Sequence, residues 1–229
     1  MALDVKNLCI FQRRTDGVEV PLVQDLSFSL ERGQTLALCG SSGCGKTSVA
    51  LSLIDLLPAG LRRDQGLVSI DGEPFSRSWR GARIGYVFQE PSKAFHPLFT
   101  VGNLMAERLK LAGVVPARAK SESIKWLERI GLADPEARLK DQASRFSGGE
   151  LQRIMIAMTL AQNPEYVVAD EPTSNLDVLV QGKILSLLQS LQSEFDLGLL
   201  LITHDSRVAK SMTDAVISMP PLVQEGESR

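Results

Sequence analysis

Cysteine and histidine are scarce in this sequence, and neither sign of charge is in marked excess. Three cysteines (Cys9, Cys39 and Cys44) and two histidines occur in 229 residues. An odd number of cysteines without framework spacing points to a reducing compartment, not a disulfide scaffold. No Cys/His cluster has the spacing of a zinc site, so His96 is not read as a metal ligand. No apolar run approaches the roughly 18 residues needed to cross a bilayer. The first residues alternate polar and apolar and carry no signal-peptide pattern. The chain is therefore expected in the cytoplasm, reaching a membrane only through partners. Basic and acidic residues nearly cancel, 25 against 27, for a net charge of −2. Nucleic-acid binding needs a clustered basic excess, so no nucleic-acid partner is expected. What is present is an ordinary hydrophobic share of 44%, enough for the core of one large domain.

The spacing of apolar residues sets out the elements. Leu3 to Ile10 and Leu22 to Leu30 alternate like half-buried strands. Thr35 to Cys39 is a short apolar run that opens into a glycine-rich loop. A helix follows over 46–57, stopped by Pro58. Leu67 to Ile70 reads as a strand closed by the turn pair Asp71 and Gly72, and Ile84 to Phe88 as another. From about 89 to 163 the pattern is mostly helical, with one helix over 117–130 ended by Gly131. A second carries Leu151, Ile154, Met155 and Met158 on one face. Strands then return at Tyr166 to Ala169, Leu199 to Thr203 and Asp214 to Met219. An amphipathic helix marked by Val180, Ile184, Leu187, Leu188 and Leu191 lies among them. Strands alternating with helices predict an α/β fold with a mostly parallel sheet, interrupted by a helical insertion.

Two motifs carry chemistry. Gly40, Ser41, Ser42, Gly43, Cys44, Gly45, Lys46 and Thr47 fit G-x-x-x-x-G-K-[ST] without a mismatch, between an expected strand and an expected helix. Glycines let the backbone curl so that several N–H groups face phosphate oxygens, and the helix dipole adds to the attraction. Lys46 can reach β- and γ-phosphates, and the Thr47 hydroxyl can bind Mg²⁺. Downstream, the apolar run from Tyr166 ends in Asp170 and Glu171. Neighbouring side chains at a strand end point in different directions. Asp170 suits the Mg²⁺ shell and Glu171 suits a general base facing the attacking water.

Phe146, Ser147, Gly148, Gly149, Glu150, Leu151, Gln152 and Arg153 then resemble the signature of ABC ATPases, L-S-G-G-Q in its commonest form. Phe146 stands for Leu and Glu150 for Gln. The resemblance covers nearly the whole chain, and its other motifs follow in order. Gln89 resembles the Q-loop glutamine, which touches metal and water. Ser174, Asn175, Leu176 and Asp177 resemble the D-loop, with Asn175 where Ala is commoner. His204 resembles the switch histidine that senses the γ-phosphate, and Phe11 the aromatic residue that stacks on adenine. The resemblance implies a P-loop NTPase (RecA-like) fold with an N-terminal antiparallel β subdomain and an inserted helical subdomain. It implies one ABC ATPase domain over 1–229, its nucleotide-binding core in 1–88 and 164–229 and its insertion in 89–163. It further implies ATP and Mg²⁺ as cofactors, and a second ABC ATPase subunit, identical or paralogous, whose ATP meets Ser147, Gly148, Gly149 and Glu150. The remaining partners it implies are integral-membrane permease subunits, which this chain would meet as a peripheral subunit on the inner membrane's cytoplasmic face.

Three stretches resemble the peptide/nickel import group. One runs from Pro172 to Gln181 and on through Lys183 to Leu188. Another is His96 to Val101. The third, Leu56 to Gly60 together with Ala94 and Phe95, resembles its nickel or metallophore branch. That group uses an extracytoplasmic binding protein, which this chain would meet only indirectly. Members commonly continue after the last strand, whereas this chain stops soon after Met219 and carries Pro220 and Pro221 where a glycine-containing turn is usual. An exporter or lipoprotein-release motor, or a nucleotide switch without transport, is the alternative.

Overall fold

The computed structural model describes residues 1–213 and 215–221. In chain order its strands are β1 (Ala2–Arg13), β2 (Glu19–Glu31), β3 (Thr35–Cys39), β4 (Leu61–Ile70), β5 (Glu73–Pro74), β6 (Ile84–Val87), β7 (Tyr166–Asp170), β8 (Gly198–Thr203) and β9 (Ala215–Ser218). Its helices are α1 (Lys46–Leu53), α2 (Pro91–Ala94), α3 (Val101–Leu111), α4 (Pro116–Arg129), α5 (Pro135–Arg138), α6 (Gly148–Leu160), α7 (Val178–Phe195) and α8 (Ser206–Met212). They fall into two compact units, one of residues 1–79 and 198–229, the other of residues 80–197.

In the first unit an antiparallel sheet has the order β2-β1-β4-β5. Its central strand changes parity midway. Leu3 and Val5 are buried, and so are Leu8 and Ile10. A strict two-residue period would turn the second pair to solvent. The shift is absorbed at Asn7, whose φ of 51° falls in the left-handed region, where the pairing with both neighbours slips between Val5 and Leu8 on one side and Lys6 and Cys9 on the other. Asn7 Nδ2 donates to Asp25 Oδ1 at 2.6 Å, and Asp25 also has positive φ. Opposite lies Gly66 at φ +108°, where an added Cβ would sit 2.6 Å from the Leu8 Cα. The bulge thus keeps one apolar face from Leu3 to Ile10. The turn at Asp71 and Gly72, both at positive φ, joins β4 to β5 as the sequence predicts.

The same unit holds a parallel layer in which β3 pairs with β8 and β9. Leu36, Ala37, Leu38, Leu200, Leu201 and Ile202 are all buried, as expected of strands covered on both faces. Cys39 is level with Thr203 and with Ser218. The loops that follow β3 and β8 therefore leave the sheet at one end.

In the second unit β6 runs parallel to β7, with Val87 level with Ala169. Gly85 lets α6 approach closely, since a Cβ there would meet Thr159 Cγ2 at 2.5 Å. Trp126 of α4 stacks on Phe195 of α7 at 5.6 Å. Arg129 lies over both rings and pairs with Glu194 at 2.8 Å. Thr100 caps α3 through a reciprocal box with Asn103.

Three local expectations change. Helix α1 ends at Leu53, not near Pro58, because Asp55 turns to positive φ and the Leu56 N–H returns to the Leu51 carbonyl at 2.9 Å. Strand β4 starts six residues before Leu67, through a polar stretch paired along β1, with Arg62 bound to Glu19 of β2. Helix α8, over a mostly polar stretch, has no counterpart in the sequence reading. Of the expected last strand, the first residue, Asp214, lies outside the described residues.

Candidate active site

The phosphate loop follows β3 directly. Gly43 and Gly45 have φ of +83° and +97°, values that L side chains rarely adopt. Gly40 is needed for another reason: a Cβ there would meet Cys44 Sγ at 2.6 Å. Lys46 opens α1 and is 5% exposed. Its Nζ donates to the carbonyls of Gly40 and Ser41 at 3.0 and 2.9 Å. The ammonium is thus held against the loop by the loop's own backbone. Thr47, next in the helix, is exposed, as are Ser41, Ser42 and Gly43. Burial pushes the Cys39 thiol up despite the nearby Lys46 charge.

His204 leaves the end of β8 level with that loop and is exposed. The next residue, Asp205, caps α8. It accepts from the Arg207 guanidinium at 2.9 and 3.2 Å and from the Arg207 N–H at 2.8 Å. These bonds hold the Asp205 carboxyl down at about 2. Phe11 sits on β1 opposite Pro21 and Arg62 and is half-buried.

In the second unit all five residues of β7 are buried, Asp170 at 2% exposure. A buried carboxylate needs hydrogen bonds, and the Tyr86 hydroxyl donates to Asp170 Oδ2 at 2.9 Å. Burial and the Asp170 charge push the Tyr86 hydroxyl well above the ordinary tyrosine range, so it stays a donor. Glu171 follows at φ 42°, a strained turn for a residue with a side chain. The Gln89 Nε2 donates to Glu171 Oε2 at 3.2 Å. Gln89 stands just beyond β6, so the parallel pairing of β6 with β7 delivers both residues to one edge.

Ser147 caps α6 in a reciprocal box with Glu150. Burial disfavours the Glu150 charge, but the Ser147 N–H and hydroxyl, with Arg138 and Arg153 nearby, leave the carboxyl below its usual range. Gly149 is where α6 touches α7: a Cβ there would meet Val180 Cγ1 at 2.6 Å. Asp177 caps α7 by accepting from the Val180 N–H at 3.0 Å, and Asn175 turns the chain at φ 62°. Signature and D-loop thus form two adjacent helix starts. His96 packs its ring on Phe99 at 4.7 Å.

Tyr86 and Arg138 belong to this machinery and escape the sequence reading. Tyr86 reaches Asp170 across 84 positions and Arg138 reaches Glu150 across 12, and neither lies in a motif.

Hard oxygen donors such as the Thr47 hydroxyl and the Asp170 carboxylate suit Mg²⁺. The loop's left-handed glycines, buried lysine and following helix N-terminus suit a triphosphate.

Comparison with known proteins agrees. The family model described as ABC transporter matches residues 23–174, more than half of the chain. A nickel import ATP-binding protein, NikD of Pseudomonas putida, is 42% identical over 199 residues, covering 86% of this chain and 78% of the relative. The oligopeptide transport ATP-binding protein OppD of Bacillus subtilis is 38% identical over 227 residues, 95% of this chain and 63% of that relative. The ATP-binding cassette MJ0796, in a dimeric post-hydrolysis structure bound to ADP and Pi, superposes with a TM-score of 0.80 at 24% identity, over 96% of this chain and 94% of that one. It shares the fold, an antiparallel β subdomain beside a parallel sheet with helices. The chain belongs to the ABC transporter family and is an ATP-binding, ATP-hydrolysing subunit of it.

Proposed function

We propose that this chain energises a peptide/nickel-type ABC importer from the cytoplasmic face of the inner membrane, as one half of a head-to-tail ATPase pair. The relatives that support import carry names for nickel, oligopeptide and glutathione uptake. Those names favour import over the exporter and nucleotide-switch readings. Selectivity for metal chelate or peptide then resides in the permeases and in an extracytoplasmic binding protein.

The roles of the residues follow from their surroundings. Lys46 and the amides of Gly40 to Thr47 hold the phosphates, while Phe11 offers a ring to adenine. Thr47, Asp170 and Gln89 would hold Mg²⁺, which would supply charge neutralisation on the bound phosphates. Glu171 orients water and takes its proton. His204 and the other subunit's signature serine and glycines steady the γ-phosphate, and Asp177 orders the D-loop beside them. Residues 1–88 and 164–229 form the nucleotide-binding core, and the helical insertion, 89–163, transmits closure to the permease. The observation that carries this reading is the Gln89–Glu171 hydrogen bond at the edge of β6 and β7. It ties the start of the insertion to the residue best placed for a base.

Tagged Glu171→Gln protein, pulled down from detergent-solubilised membranes with ATP and analysed by mass spectrometry, tests the assignment. Two permeases of the peptide/nickel type, with or without a second ATPase, are expected. Recovery of soluble machinery with no integral membrane protein would sink the importer reading.

A further inference from the structure

Serine has one hydroxyl proton to give, and Ser147 gives it to Glu150. Its Oγ donates to Glu150 Oε2 at 2.9 Å, and its backbone N–H donates to the same oxygen at 2.8 Å. In return the Glu150 N–H donates to Ser147 Oγ at 3.3 Å. The other carboxylate oxygen is also engaged: Arg138 Nη2 lies 3.4 Å from Glu150 Oε1. Arg138 is itself held in place. Its guanidinium lies 4.0 Å from the Phe146 ring centroid, pairs with Asp141 at 3.1 Å and reaches the Arg145 carbonyl at 3.4 Å.

The consequence bears on the helix end that would receive the other subunit's nucleotide. With its proton turned to Glu150, Ser147 shows an incoming phosphate only lone pairs. The carboxylate beside it adds a negative charge at the helix start, where an anion would otherwise gain from the exposed N–H groups. A glutamine at this position can still accept from the Ser147 N–H. It brings no charge and binds the hydroxyl less strongly, because bonds to ionised acceptors are about twice as strong as neutral ones.

We propose that Glu150 sets the strength of this signature by competing with the other subunit's γ-phosphate for the Ser147 hydroxyl, with Arg138 holding the carboxylate in the competing position. Glu150 is a positioning residue that acts through Ser147. Closing of the ATPase pair requires the hydroxyl to turn away from Glu150, so this signature closes more weakly than one with glutamine. The inference rests on the reading of Ser147 to Gly149 as the receptor of the other subunit's nucleotide.

Sedimentation velocity with Mg-ATP tests it. The full chain carrying Glu171→Gln is measured with itself, or with the second ATPase chain that co-purifies with it. Adding Glu150→Gln should tighten ATP-dependent association about tenfold, the scale of one charged hydrogen bond released. Glu150→Ala, which also removes the acceptor that caps α6, should gain less. In a Ser147→Ala background the benefit of Glu150→Gln should shrink to a small fraction, since the contested proton is gone. Equal or weaker association with Glu150→Gln overturns the competition while leaving the signature reading intact. A benefit of the same size without the Ser147 hydroxyl overturns it too, reducing Glu150 to a bare charge. If Ser147→Ala leaves ATP-dependent association unchanged, the signature reading itself fails, and this inference with it.

Discussion

Gln89 Nε2 stands 3.2 Å from Glu171 Oε2, an amide donating to a carboxylate across two parallel strand ends. A base needs a fixed direction, and this bond fixes one oxygen of Glu171. Gln89→Ala should lower kcat about tenfold to a hundredfold, the rate equivalent of one hydrogen bond to a charged group. ATP affinity should stay near its original value, because the phosphate loop lies elsewhere in the chain. Steady-state hydrolysis alongside equilibrium nucleotide binding checks both halves. A large loss of affinity with unchanged kcat would place Gln89 in binding instead.

Tyr86 and Asp170 form the second such pair. The carboxylate is nearly inaccessible, and Tyr86 supplies a donor at 2.9 Å. Tyr86→Phe keeps the shape and removes the donor, so it should destabilise the protein by about 1–3 kcal/mol. Urea unfolding monitored by circular dichroism measures this. A change below about 0.5 kcal/mol, the usual range of a neutral surface substitution, would mean that the bond is idle.

Gly149 lies where α6 meets α7, with Val180 Cγ1 only 2.6 Å from the place a Cβ would occupy. Gly149→Ala should cost about 1–3 kcal/mol by overpacking and disturb the D-loop, because Val180 also supplies the N–H that Asp177 caps. Adding Val180→Ala should recover much of the stability. If the double variant is no more stable than Gly149→Ala alone, the contact is not the cause.

Asp205 gives a pH signature. The Arg207 bonds lower its pKa from 3.8 to about 2. A lowered carboxyl pKa favours the folded state when the group is ionised. That contribution is complete above the unfolded value and disappears as pH falls through the folded one, between about 4 and 2. Arg207→Ala should return the Asp205 titration, followed by carboxyl NMR, towards 3.8. An unchanged titration would assign the shift to other groups.

What the sequence makes legible is what lies close together in the chain. The phosphate loop occupies eight consecutive residues, and the strand and helix around it follow from an apolar run and a lysine-led helix start. The acidic strand end at Asp170 and Glu171 is local in the same way. The donor that holds Asp170 is not. Tyr86 reaches Asp170 across 84 positions, and nothing near either residue announces the pair. Strand β1 is longer than its alternation suggests because residues 11–13 are held by pairing with β2 and β4 and not by an apolar pattern. Helix α8 hides in a polar segment whose one local clue is Asp205 two residues before Arg207. Glu150 is readable as a departure from the commonest signature, but its grip on the Ser147 proton appears only when α6 is built.

The central claim is that Glu171 acts as the base for hydrolysis of ATP held by the Lys46 loop. Single-turnover hydrolysis by Glu171→Gln protein, with ATP binding measured on the same sample, tests it most directly. The account predicts retained binding and a hydrolysis rate lower by about 10²–10⁴, the span of general-base catalysis. Near-normal turnover with ATP bound would remove Glu171 from that role.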